Sequence, residues 1–120
     1  MNEVRRRLLE LHKALVDVER DGYERTRGRM PDGDFLKALI DDPAFAWLAP
    51  LTALIVRLDE VEGEALPTEY VAEIKRLLKP DDLGLAFQRR YYEMLQKSPD
   101  ALVAHGAVMQ SLSRYARPKS

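Results

Sequence analysis

Apolar residues at Val4, Leu8, Leu11, Leu15 and Val18 recur at alternating spacings of four and three, and this series constrains the chain more than any other feature. An α-helix turns once in about 3.6 residues, so the series lies along one side of a helix and requires a neighbour to cover it. The spacing predicts a first helix ending between Asp21 and Arg27. Gly22 takes the next place in the series, where a missing side chain is expected to mark a closely approaching helix or a fraying end.

Turn formers and capping residues divide the rest. The run Gly28 to Gly33 reads as a turn, and Asp34, just before Phe35, is expected to cap a short second helix carrying Phe35, Leu36, Leu39 and Ile40. Asp42 followed by Pro43 restarts the chain as a third helix running to about Glu62, because Asp accepts free N–H groups and proline gives up a donor that has no partner there. That helix carries Trp47, Leu51, Leu54, Leu58 and Val61 on one stripe and Phe45, Leu48, Ile55 and Val56 around it. This marks it as the centre of the core or part of a subunit interface. Pro50 cannot donate to the carbonyl of Ala46, which predicts a kink or a broken first turn. Pro67 opens a fourth helix with Val71, Ile74 and Leu78 inside. Pro80, Asp81 and Asp82 are expected to open a fifth, with Leu83, Phe87, Tyr91 and Met94 inside. Ser98 and Pro99 open a sixth, with Leu102, His105, Met109 and Leu112 inside.

No stretch alternates with the period of two that a strand requires, so the fold class is all-α: a small helical bundle of four antiparallel layers built from about six helical segments. A length of 120 residues suits one domain, expected over residues 1–116 with a frayed tail at 117–120. The longest apolar stretch, Pro43 to Val56, is shorter than the roughly 20 residues of a membrane-spanning helix. The first residues lack the continuous apolar run of an export signal. Without cysteine, the chain has no disulfide, thiolate nucleophile or cysteine-ligated metal.

Three stretches, Leu11 to Tyr23 (LHKALVDVERDGY), Asp41 to Glu60 (DDPAFAWLAPLTALIVRLDE) and Phe87 to Val108 (FQRRYYEMLQKSPDALVAHGAV), together resemble a family of short bacterial helical proteins. That family carries no established activity or cofactor. The resemblance covers most of the chain and implies a bacterial cytoplasmic setting, with no site residues to transfer.

The chemistry-bearing patterns are sparse. Neither His12 nor His105 has a Glu three residues before it, as a di-metal bundle needs, and two histidines cannot build a three-His zinc site. Ser98, Ser111 and Ser113 suit capping or helix surface rather than a nucleophile, and the glycines lack phosphate-loop spacing. The acid pairs Asp41–Asp42, Asp59–Glu60 and Asp81–Asp82 fall at helix ends, where caps and solvation explain them. Tyr91 is expected in the core beside Phe87 and Met94, with Tyr92 and Arg89 at the surface or an interface.

Two constellations remain. Arg5, Arg6 and Arg7 open the first helix while Arg114, Arg117 and Lys119 close the sixth, and an antiparallel bundle merges them into a basic patch suited to an anionic partner. Nineteen Lys and Arg against twenty Asp and Glu give a net charge of −1, which argues against nucleic-acid binding by overall charge. His12 and His105 would both lie roughly 15 to 17 Å from the same bundle end at about 1.5 Å per residue, so they are a candidate pair for a small ligand or haem. The more ordinary expectation is a buried histidine hydrogen-bonded to the backbone or a carboxylate. The leading expectation is a non-enzymatic cytoplasmic protein without cofactor, acting through protein contacts as a homodimer, since an apolar strip left over on so small a bundle would seek a partner.

Overall fold

The computed structural model describes residues 3–61, 66–79, 81 and 83–114. These residues form α1 (Glu3–Arg27), α2 (Asp32–Asp41), a 3-10 segment (Pro43–Leu48), α3 (Ala49–Asp59), α4 (Thr68–Leu77), α5 (Ala86–Lys97) and α6 (Pro99–Leu112). The fold is a small all-α bundle.

The founding series behaves as its spacing requires: Val4, Leu8, Leu11 and Leu15 are fully buried, and Val18 packs half-buried against the same core. α1 packs most extensively on α6 and next on α3, so the first helix, rather than the third, holds the centre. An ion pair of 2.8 Å between Glu3 and Arg114 joins the start of α1 to the end of α6 and fixes the two as antiparallel. α5 leans on α6 and on the 3-10 segment, and α4 on α3.

α1 continues through Gly22 to Arg27. A Cβ built at Gly22 meets nothing within 4 Å, so neither close approach nor fraying explains that glycine. The stop comes at Gly28, whose φ of 86° is left-handed backbone that glycine adopts without steric cost, and whose N–H donates to the Glu24 carbonyl at 2.7 Å. α2 starts at Asp32, so Asp34 lies inside its first turn, and no side chain caps the helix. Phe35 is buried, while Leu36 and Ile40 are exposed.

The expected third helix is two elements. Asp42 caps the first by accepting the Ala44 N–H at 2.9 Å. The Ala46 carbonyl, denied a donor by Pro50, is taken instead by the Ala49 N–H one residue earlier, and that shorter reach is 3-10 geometry. α3 then starts with Pro50 in its first turn, where no donor is missed. Its buried residues, Leu51, Leu54, Ile55 and Leu58, share one face, and Val56 is exposed.

α5 begins at Ala86, later than the Pro80 start that the sequence suggested; Pro80 and Asp82 lie outside the described residues. Asp81 makes a turn rather than a helix, accepting the Leu83 N–H on its side chain at 2.9 Å and the Gly84 N–H on its carbonyl at 3.2 Å. Leu83 is therefore 89% exposed instead of inside. Ser98 alone separates α5 from α6, and its Oγ accepts the Ala101 N–H at 3.1 Å as the expected cap. The inner residues of α6 are Ala101, Val108, Ser111 and Leu112; Leu102, expected inside, faces out.

Candidate functional site

Both histidines are held by hydroxyls, each on a different neighbour. His12 Nε2 lies 3.2 Å from Thr52 Oγ1 on α3, and the same hydroxyl donates to the Leu48 carbonyl at 3.3 Å. Since a hydroxyl has one proton, the arrangement that satisfies every group has His12 Nε2–H donating to Thr52. His105 Nδ1 lies 2.6 Å from the Tyr91 hydroxyl on α5. Burial pushes the Tyr91 phenol far up, so it keeps its proton and donates it to Nδ1. Burial lowers both imidazoles below their usual value. The hydrogen bonds of the two histidines go to different helices, and no hydrogen bond joins one to the other. Equal height does not fix rotation: His12 turns toward α3 and His105 toward α5. Among the described residues no group of three or more His, Cys, Asp or Glu is placed to hold a metal ion.

His105 ends a row of rings that crosses the core. Trp47, Phe87, Tyr91 and His105 follow one another with centroid separations of 5.5, 5.5 and 5.6 Å. At the Trp47 end sits Glu19, whose side chain is only 9% exposed. One carboxylate oxygen accepts the Trp47 indole N–H at 3.1 Å and the other accepts Arg90 at 2.7 Å. The Arg90 guanidinium also lies 5.9 Å from the Trp47 ring centroid. A buried carboxylate is tolerated because both oxygens are engaged and one partner carries the opposite charge. Sequence reasoning missed this cluster. The available signal was a glutamate four residues after Leu15, at the edge of the buried stripe.

Glu19 and Arg90 also border a groove of about 740 Å³ between the second half of α1 and the α5–α6 corner. Acidic and basic side chains both line it, Asp17, Asp21 and Asp100 beside Lys13, Arg25 and Lys97, so it presents no single sign of charge to a ligand.

The described part of the expected basic end, Arg5, Arg6, Arg7 and Arg114, is engaged by three carboxylates, with Glu3 shared between two of the arginines. Arg5 pairs with Asp59 at 2.6 Å, Arg6 with Glu3 at 3.5 Å, Arg7 with Glu10 at 3.1 Å and Arg114 with Glu3 at 2.8 Å. Arg117 and Lys119 lie outside the described residues. An anionic partner would have to displace these carboxylates to reach the described arginines.

The outer face of α6 is different in kind. Leu102 and Val103 are 54% and 73% exposed, Gly106 and Gln110 continue the same face, and no charged residue occurs between Asp100 and Arg114. A solvent-facing helix side is ordinarily charged or polar, whereas this one carries no charge and exposes two branched apolar side chains. No protein-family model, curated protein or solved structure matches the chain.

Proposed function

We propose that this chain is a non-enzymatic, bacterial cytoplasmic protein that acts through protein contacts and pairs with a second copy of itself along the outer face of α6. The observation that carries the reading is the exposure of Leu102 and Val103 on a helix side without charge. Two copies related by a twofold axis place the same patch on itself, so a charged face would meet its own sign, whereas this one meets none. A Cβ built at Gly106 meets nothing within 4 Å, so a second backbone has open space for close approach there. Fully burying one Leu or Val side chain contributes about 1.5–3 kcal/mol, and a twofold contact uses each residue twice. In support of the setting, no single described helix is long and apolar enough to cross a membrane.

Light scattering coupled to size-exclusion chromatography over a hundredfold range of concentration tests the pairing. The wild-type chain is expected to run as a dimer and Val103→Glu as a folded monomer. A wild-type chain that stays monomeric at the highest concentration overturns the reading.

A further inference from the structure

Tyr91 differs from an ordinary core tyrosine in having a base for its proton. Its side chain is fully buried, so water cannot take the phenolic proton, and His105 Nδ1 at 2.6 Å is the acceptor it has. Burial lowers the imidazole, so His105 is neutral near pH 7 and Nδ1 carries a free lone pair. His105 itself is only half-buried, so a proton received there can pass on to solvent. Among the described residues Tyr23 is the other phenol that donates, and its acceptor is poorer. Asp42 is held below the usual carboxylate range by the Ala44 N–H and by Tyr23 itself, so it takes up a proton only in acid.

This difference governs one-electron chemistry. A phenol that loses an electron becomes a very strong acid, and its oxidation is easy only where a base takes the proton at the same moment. Without the base, a positive charge is stranded in an apolar core. The row of rings supplies the route. Trp47 is half-buried at the far end, where an oxidant can touch its edge. The Phe87 ring centroid lies 5.5 Å from those of Trp47 and Tyr91 and is nearly parallel to the latter at 22°, so packed ring atoms fill the path. Charge left on the indole faces the Glu19 carboxylate, whose oxygen lies 3.1 Å from Nε1. We infer that Tyr91 is a redox-active tyrosine: an outer-sphere one-electron oxidant reacts at Trp47, the electron deficit moves across Phe87 to Tyr91, and His105 takes the phenolic proton. In the first step the oxidant gains one electron and Trp47 becomes an indole radical cation. One electron then passes from Tyr91 to Trp47 and restores the indole, while the phenolic O–H bond breaks and its proton bonds to Nδ1. A neutral tyrosyl radical remains beside an imidazolium, with the positive charge on the ring that reaches solvent.

The test is flash oxidation of the full chain by a photogenerated ruthenium(III) polypyridyl complex, followed by transient absorption. In the wild type the tryptophan radical band should decay into a tyrosyl band. The rate should be independent of protein concentration and slower in heavy water, because a proton moves with the electron. Tyr91→Phe should abolish the conversion and leave the tryptophan radical long-lived. His105→Gln keeps an acceptor for the hydroxyl but no base, and should slow the conversion by about a hundredfold, an ordinary loss on removing a positioned proton acceptor. Trp47→Phe should remove the fast tyrosyl rise, since the buried Tyr91 ring is out of the oxidant's reach. A wild-type tryptophan radical that yields no tyrosyl band, an equal band in Tyr91→Phe, an unchanged rate in His105→Gln, an undiminished rise in Trp47→Phe or no effect of heavy water would each overturn the inference. The wild-type measurements need no variant to fold. All four rings belong to one chain, so failure here leaves the α6 pairing untouched.

Discussion

The two halves of α1 hold their neighbours by different means. From Val4 to Leu15 the contact is made by four fully buried aliphatic side chains pressed against α6 and α3. From Glu19 to Arg27 charge-assisted hydrogen bonds are added to one aromatic contact, the Tyr23 ring at 6.5 Å from Phe35 and 5.0 Å from Phe45. Glu19 takes Trp47 and Arg90. Arg20 takes Glu24 at 3.0 Å, Asp32 at 2.9 Å and the Met30 carbonyl at 2.9 Å, with its guanidinium 4.8 Å from the Phe35 ring centroid. Tyr23 donates to Asp42 at 2.7 Å. Apolar contact tolerates many geometries of a given area, whereas each of these bonds names one partner at one angle. The first half therefore supplies most of the stability, and the second half fixes where α2 and the 3-10 segment sit.

Truncation separates the halves most sharply. Leu11→Ala removes a fully buried side chain from the α1–α6 seam and is expected to cost about 2–5 kcal/mol in chemical denaturation. Glu19→Ala leaves the Trp47 indole N–H and the Arg90 guanidinium without their carboxylate and should cost about 1–3 kcal/mol. It should also shift the emission of Trp47, the one tryptophan, which Leu11→Ala leaves largely in place below its melting transition. A Glu19→Ala loss as large as that of Leu11→Ala would erase the distinction.

The smallest effect is the response to pH, and it comes in two windows. Burial depresses the folded pKa of His12 and His105, so the unfolded chain takes up protons more readily. Stability should fall once pH drops below the unfolded value of about 6.5 and level off beneath the folded values. In the second half of α1, hydrogen bonding from Arg20 lowers the Glu24 carboxyl, and the Ala44 N–H followed by Tyr23 lowers Asp42. Their contribution is present above the ordinary carboxylate range and is lost as pH falls through the depressed values. Denaturation midpoints from pH 8 to 3 should thus decline in two steps. In His12→Gln/His105→Gln the upper step should vanish and the lower one remain; persistence of the upper step would assign it to other groups.

How much of this was legible depends on how far a residue's partner lies along the chain. The α1 stripe, the Asp42 cap and the Ser98 cap are local patterns, and the sequence carries them openly. Pro50 was ambiguous because a proline that splits a helix and one that kinks it remove the same donor; the choice fell to Ala49, which took the orphaned carbonyl. Asp81 was misread because an aspartate after a proline serves a first helical turn and a tight turn equally well. Leu102 was misplaced because α6 carries apolar residues on both sides, Val108 and Leu112 within and Leu102 and Val103 without, so its period separates inside from outside poorly. The Glu19 cluster was out of reach, since its partners lie 28 and 71 residues away and only the fold brings them together.

The antiparallel seam between α1 and α6 also sets the order in which the chain can come to rest. The stripe Val4 to Leu15 has its principal cover on the last helix, and the bond between Glu3 and Arg114 spans 111 positions. During synthesis at about 5–20 residues per second, α1 emerges first and remains uncovered for several seconds until α6 follows. The early helices can settle locally, but the α1 stripe is covered only when α6 arrives, and contacts of such large sequence separation form slowly. A chain arrested before α6 would present its most apolar surface to whatever is nearby, so premature termination should yield aggregates rather than a smaller folded bundle.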